Sequence, residues 1–268
     1  MTPIRTVITG VSGRMGASLV RLVRDTPEFV LHGGTDKPGS ASISLDVGLA
    51  AHLAPLEVST VDSLSAALNR ANVVIDFTTP EASVQHAREC ADAGVPLVVG
   101  STGFSADAKL HMADAAKVIP IVMAPNMSVG VNLVIEIAAQ LAKRLGEDFD
   151  VEVVETHHRM KKDAPSGTAM RLAEELAKSL GRDSGDICTS RVGLIGERPR
   201  KEIGVQTVRG GDVVGEHTVF FFGDGERVEL THRATSREQF ARGALRAAKW
   251  VVGKKPGLYD MTHVLGAK

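Results

Sequence analysis

From Ile4 to about Ile121, short β-branched runs alternate with helix-length amphipathic stretches. That is the pattern of a parallel sheet covered by helices on both faces. Strands are predicted at Arg5 to Thr9, Phe29 to Thr35, Leu56 to Ser59, Asn72 to Thr78, Pro96 to Gly100 and Ile119 to Ala124, with helices in the gaps. One helix opens at Thr79-Pro80-Glu81, where a hydroxyl caps, proline suits the first helical position and the acid suits the positive end of the dipole. The run N-V-V-I-D-F-T is apolar on both faces until Asp76, as a central parallel strand requires.

After Asn126 the pattern changes to a long apolar helix (Val129 to Leu145), a strand (Asp150 to Thr156), a helix (Ser166 to Leu180) and a Gly- and Arg-rich connection. Three alternating runs between Ile203 and Arg233 are separated by Gly-Gly-Asp and Gly-Asp-Gly, which reads as antiparallel hairpins joining the Asp150 strand in an open mixed sheet. Phe220-Phe221-Phe222 places large apolar groups on both faces, so the outer face is covered either by another subunit or within one subunit's core. A last helix, Ser236 to Val252, opens with a capping-box pattern of Ser236 and Gln239 and is expected to return to the first domain. The expected fold is α/β: an N-terminal Rossmann-like, doubly wound parallel sheet (1–127, completed by 238–268) plus a smaller α+β domain with an open mixed sheet (128–237).

Composition narrows the function. Hydrophobic residues make up 43% and charged ones 24% of 268, an ordinary globular balance. A net charge of -1 supplies no global field for nucleic acid or anionic lipid, so any anion site is local. Cys90 and Cys188 fit neither a disulfide framework nor a metal-ligand spacing; reduced thiols, no metal and a cytoplasmic protein are expected. No apolar run has the length of a membrane span.

The first strand runs into G-V-S-G-R-M-G (Gly10, Val11, Ser12, Gly13, Arg14, Met15, Gly16) and a helix, so backbone amides and a helix N-terminus form an anion cradle. A glycine pattern alone is weak, since glycine also serves plain turns. The strand-turn-helix setting strengthens it, as does Asp36 at the end of the second strand, about 20 residues on, where an acid accepts a ribose hydroxyl. Lys37 and Arg14 offer charge to a 2′-phosphate, so NADH and NADPH are both expected. The loops Gly100-Ser101-Thr102 and Ala124-Pro125-Asn126-Met127 follow strand ends, where the nicotinamide half of a cofactor would lie.

The segment Glu155 to Ala169, E-T-H-H-R-M-K-K-D-A-P-S-G-T-A, gathers two histidines, an arginine and two lysines ahead of a helix start at Ser166-Gly167-Thr168. His157 and His158 point to opposite sides of an extended chain and so do different jobs. The amides of Gly167 and Thr168 suit one carboxylate and the cations a second, so the substrate is expected to be a small dianion. His157 or Lys161 is the candidate proton donor, and spacing does not rank them. His217 and His232 read as hydrogen-bonded structural histidines.

These residues resemble the 4-hydroxy-tetrahydrodipicolinate (dihydrodipicolinate) reductase family of the diaminopimelate–lysine pathway. The resemblance spans nearly the whole chain through G-V-S-G-R-M-G, I-D-F-T-T-P-E, V-V-G-S-T-G-F, A-P-N-M-S-V-G-V-N, the H-H-R-x-K-x-D-A-P-S-G-T-A element, V-V-G-E-H-T-V, E-L-T-H-R-A and K-P-G-L-Y-D-M. It implies that His157 is the general acid with Lys161 as the associated donor. It also implies that His158, Gly167 and Thr168 hold substrate carboxylates, and that Gly10 to Met15, Asp36, Gly100 to Thr102 and Ala124 to Met127 line the cofactor, with Lys37 and Arg14 at the adenosine phosphate. A homotetramer built through the second-domain sheet is implied as well. Ser101 stands where Thr is common, and Met160 where a further His is often found, which leaves the loop one titratable group short. The alternatives are a semialdehyde or polyol dehydrogenase, and a non-catalytic dinucleotide sensor. Neither cysteine has the setting of an acyl-enzyme nucleophile.

Overall fold

The computed structural model describes residues 2–266. The chain begins with β1 (Ile4–Thr9), α1 (Arg14–Asp25), β2 (Phe29–Thr35), α2 (Val47–Ala50), β3 (Thr60–Val61), β4 (Val73–Asp76), α3 (Pro80–Ala93), β5 (Leu97–Val99), α4 (Ala106–Ala115) and β6 (Pro120–Met123). It continues through α5 (Val129–Leu145), β7 (Asp150–His157), α6 (Gly167–Ser179), β8 (Ile187–Cys188), β9 (Ile203–Arg209), β10 (Gly215–Gly223) and β11 (Glu226–Ala234), and ends with α7 (Glu238–Val251), β12 (Gly257–Tyr259) and α8 (Met261–Leu265). Among the described residues two compact units result: 2–129 with 238–266, and 130–237. None of the described helices is long and apolar enough to cross a membrane.

In the first unit seven parallel strands lie in the order β12-β6-β5-β4-β1-β2-β3. The order reverses between β1 and β4, so the crevice past the carboxyl ends of these strands is the ligand position of an open α/β sheet. β4 is buried along its whole length, and α3 starts where the sequence predicts, with the Thr79 hydroxyl accepting from the Ala82 amide at 3.3 Å. α7 returns to this unit and buries small residues; a Cβ on Gly243 would lie 1.7 Å from the Met127 carbonyl oxygen, so helix and backbone touch here.

One strand differs from expectation. The edge strand lies at Thr60–Val61 and not at Leu56 to Ser59. The Asp46 carboxylate accepts from the amides of Gly48 (2.7 Å), Leu49 (3.3 Å), Leu56 (2.9 Å) and Val58 (3.2 Å), and this folds the preceding segment into a loop. The closing strand β12 is three residues long and lies outside the predicted elements.

The second unit holds a five-stranded mixed sheet in the order β11-β10-β7-β9-β8. The Gly223-Asp224-Gly225 turn behaves as expected, with β10 and β11 forming an antiparallel hairpin around it. Gly210-Gly211-Asp212 does not make a hairpin: β7 lies between β9 and β10, parallel to the first and antiparallel to the second. One face of this sheet packs Val151, Val153, Ile203, Val205, Val219 and Phe221 against α5 and α6. On β7 the inward positions run Val151, Val153, Glu155, His157, so the alternation that fills the core also carries two polar side chains inward near the strand end.

Candidate active site

The glycine turn of the first unit is closed tightly. Gly10 has φ +65°, the Gly13 amide donates to its carbonyl at 2.9 Å, and a Cβ on Gly16 would meet that same oxygen at 2.0 Å. No larger residue fits at Gly16, and α1 follows at once, so its N-terminus faces the turn. The Asp36 carboxylate accepts from the Ser12 amide at 3.3 Å, the Ser12 hydroxyl, the Ser42 hydroxyl at 2.8 Å and the Lys37 amide at 2.8 Å. Burial alone would raise its pKa, but these donors outweigh it and hold the carboxyl below the usual range. An ionised carboxylate beside a tight glycine turn is the donor and acceptor set that a dinucleotide requires, so the residues present fit that cofactor.

The other cofactor-loop residues divide by side chain. Val11, Ala124 and Met127 are buried in the core and offer only backbone to a ligand. The Ser101 hydroxyl faces inward, 2.9 Å from that of Ser83. The Ser128 amide donates to Asn126 Oδ1 at 2.8 Å, which shapes the turn after β6. Thr102 and Pro125 line a cavity of about 570 Å³ together with Phe104, Lys109, Tyr259 and His263, and the last two come from C-terminal elements that the sequence pattern does not announce.

In the second unit His157 lies at the end of β7 and is only 9% exposed. Its Nδ1 is 2.5 Å from Glu155 Oε2, and its ring meets that of His217 edge-on. Burial pushes the His157 pKa down and the Glu155 carboxylate pushes it back up, while Lys161 and Arg209 add to the lowering; the net shift is downward. Lys161 turns back on the same loop, with Nζ 2.9 Å from Asp163 Oδ1. Ser166 caps α6, accepting from the Ala169 amide at 3.2 Å, so Gly167 and Thr168 form the first turn at the positive end of the helix.

His158 is directed elsewhere. Its Nδ1 is buried with no partner among the described residues, Arg237 Nη2 lies 3.4 Å from its Nε2, and it lines a cavity of about 520 Å³ with Arg159, Met160, Gly211, Asp212 and Arg237. The structure therefore ties His157 through Glu155 to Ser166 at the α6 N-terminus, brings the charge of Lys161 to bear on His157, and gives His158 a different set of neighbours. Sequence reasoning missed Glu155, Arg209, Thr207 and Gly215 around His157, and Ser42 beside Asp36. Only Glu155 carried a signal, its place two residues before His157 on one strand face.

Comparison with known proteins agrees with this geometry. Residues 4–127 match the family model for the dihydrodipicolinate reductase N-terminus, and residues 130–265 match that for its C-terminus. The chain is 63% identical over 265 residues to the 4-hydroxy-tetrahydrodipicolinate reductase of Myxococcus xanthus (strain DK1622), covering 98% of each chain. It is 60% identical over 265 residues to that of Anaeromyxobacter dehalogenans (strain 2CP-C), again 98% of each. Among solved structures, the dipicolinate-bound dihydrodipicolinate reductase from Paenisporosarcina sp. TG-14 superposes with a TM-score of 0.78 at 25% identity, over 97% of this chain and 98% of that one. With both family models matched in order along one chain, a dinucleotide-type sheet in the first unit and a cationic loop in the second, the protein belongs to the dihydrodipicolinate reductase family of oxidoreductases.

Proposed function

We propose that the protein reduces 4-hydroxy-tetrahydrodipicolinate to tetrahydrodipicolinate with NADH or NADPH, in the diaminopimelate–lysine pathway named by the resemblance. The observation that carries the reading is the segment from His157 to Thr168, which holds a buried imidazole, a lysine whose charge acts on it, and a capped helix N-terminus. The 4-hydroxyl group leaves the ring as water, and a nicotinamide cofactor, when bound, would supply the hydride that reduces the resulting unsaturated ring. His157 delivers the proton that balances it, and Lys161 raises the local positive potential that favours charge developing on the ring. Gly167 and Thr168 hold one carboxylate at the α6 N-terminus, and His158 reaches the other only by turning from the Arg237 side, where it rests in this structure, toward the ring. The relative from Paenisporosarcina is a dipicolinate complex, and a ring with two carboxylates is the ligand this donor set suits.

Gly10 to Met15, Asp36, Gly100 to Thr102 and Ala124 to Met127 hold the cofactor, chiefly through backbone where the side chains are buried. Asp36 favours an unphosphorylated ribose, and Lys37 with Arg14 tolerates a 2′-phosphate, which supports use of both cofactors. The protein works in the cytoplasm, in keeping with two free cysteines. A homotetramer forms through the outer face of the second-unit sheet, where Val208 is 46% and Phe222 38% exposed. Generating the cyclic substrate in place and following NADH and NADPH absorbance tests the reading: substrate-dependent oxidation supports it, and cofactor binding without oxidation overturns it.

A further inference from the structure

We infer that Glu155, clamped by Arg209, is a positioning residue for the proton donor: it fixes the His157 ring in one orientation and one tautomer, leaving Nε2 as the nitrogen that gives and takes the proton. The inference rests on the assignment of His157 as the acid and extends it to groups behind the ring.

Glu155 is fully buried, and its carboxylate receives five donors. Arg209 binds it in a fork, Nη1 to Oε2 and Nη2 to Oε1, both at 2.8 Å. The Ser166 amide donates to Oε1 at 3.0 Å and the Thr207 hydroxyl at 3.2 Å, while His157 Nδ1 meets Oε2 at 2.5 Å. Arg209 is itself anchored on the carbonyls of Asp163 (2.6 Å) and Val208 (2.8 Å). One carboxylate thus ties the imidazole to the residue that caps α6. It thereby sets the spacing between the proton donor and the helix end assigned to a substrate carboxylate.

Burial alone would favour the neutral acid, but the hydrogen bonds from Arg209, His157 and Ser166 keep Glu155 ionised, below its usual range. An ionised carboxylate only accepts hydrogen bonds, so Nδ1 must carry the proton and the neutral ring is bare at Nε2. The charged and titratable groups facing the ring are Glu155 on its own strand, Lys161 on the following loop, Arg209 on β9 and His217 on β10. Of these, Glu155 is the group that favours the imidazolium.

The test compares kcat and KM against pH for the wild type, Glu155→Gln, Glu155→Asp and His157→Gln, with nitrogen NMR of the His157 ring in the wild-type protein. Glu155→Gln keeps size and loses charge. The expected result is a kcat lowered by about tenfold or more, a KM that changes far less, and an alkaline limb displaced to lower pH because the imidazolium has lost its counter-ion. Glu155→Asp restores part of the limb position. In the wild type the neutral ring carries its proton on Nδ1.

Wild-type kcat and pH profile in Glu155→Gln, alongside a crippled His157→Gln, would overturn the positioning role and leave the acid intact. Full turnover in His157→Gln would remove the acid assignment itself. If Glu155→Gln does not fold, the wild-type NMR decides, since a neutral ring protonated at Nε2 overturns the inference without any substitution.

Discussion

The imidazole of His217 meets that of His157 edge-on, with centroids 5.2 Å apart and planes inclined by 76°. His217 also lies against Ser166, with Nε2 3.2 Å from its hydroxyl. Burial, and then the neighbouring His157, pushes the His217 pKa from 6.5 down to about 4. It therefore packs as a neutral ring at physiological pH.

That arrangement couples stability to pH. Between about pH 6.5 and 4 the unfolded chain binds a proton at His217 that the folded chain refuses, so stability falls on acidification across this window, by about 3 kcal/mol in all. In His217→Gln the loss should shrink. Hydrogen exchange of the β7 and β10 amides at several pH values measures it, and an unaltered acid-side slope would count against the assignment.

Gly215 gives His157 its room. A Cβ at this position would stand 2.9 Å from His157 Nε2, closer than real contacts allow. Gly215→Ala is expected to rotate the ring off its bond with Glu155 and lower kcat by about a hundredfold, the scale of an ångström-level displacement, while the unfolding midpoint moves little. Steady-state kinetics with a thermal melt separates the two effects.

At the cofactor end, Asp36→Asn removes the charge that suits a ribose hydroxyl and opposes a phosphate. NADH affinity should fall and the NADPH to NADH preference rise by about tenfold. Calorimetric titration with each cofactor reads this directly. Equal loss for both would mean that Asp36 serves the turn through Ser12 and Ser42 and does not read the ribose.

Asp76 is buried at the end of β4, where it meets His86 Nδ1 at 2.8 Å and accepts from the Thr78 amide and hydroxyl at 2.8 and 2.6 Å. Burial alone would raise its pKa, but His86 and Thr78 prevail and lower it, so its contribution to stability is present at neutral pH and lost as pH falls through a value below 3.8. Asp76→Ala should cost the first unit about 3 kcal/mol. Trp250, the single tryptophan, lies in that unit and reports its unfolding by fluorescence.

Local chemistry explains what the sequence made legible. α5 begins and ends at its expected residues because its apolar content and flanks leave little choice, and the glycine turn, Asp36 and the His157 loop are all visible as strings. β3 is displaced because the Asp46 carboxylate takes donors from residues ten and twelve positions ahead, a contact no periodicity reports. The hairpin expected before β10 fails for the same reason of distance: turn residues say that the chain bends, not which strand lies alongside. Arg209, Thr207 and Gly215 reach His157 only through strand pairing, so their place in the site is a property of sheet order. Glu155 is different, since two positions along a strand share a face and that rule suffices to pair it with His157.

The parallel sheet of the first unit receives its outermost strand, β12, from residues 257–259, after the chain has already traversed 130–237. During synthesis, the nascent first unit therefore waits with β6 as an open edge and without the apolar surface that α7 supplies. The inserted unit has all of its own strands in hand by Ala234 and is free to mature earlier. Chains cut short before α7 should emerge from the ribosome as sticky, protease-sensitive fragments whose last-made segment, more than their first, decides whether they survive.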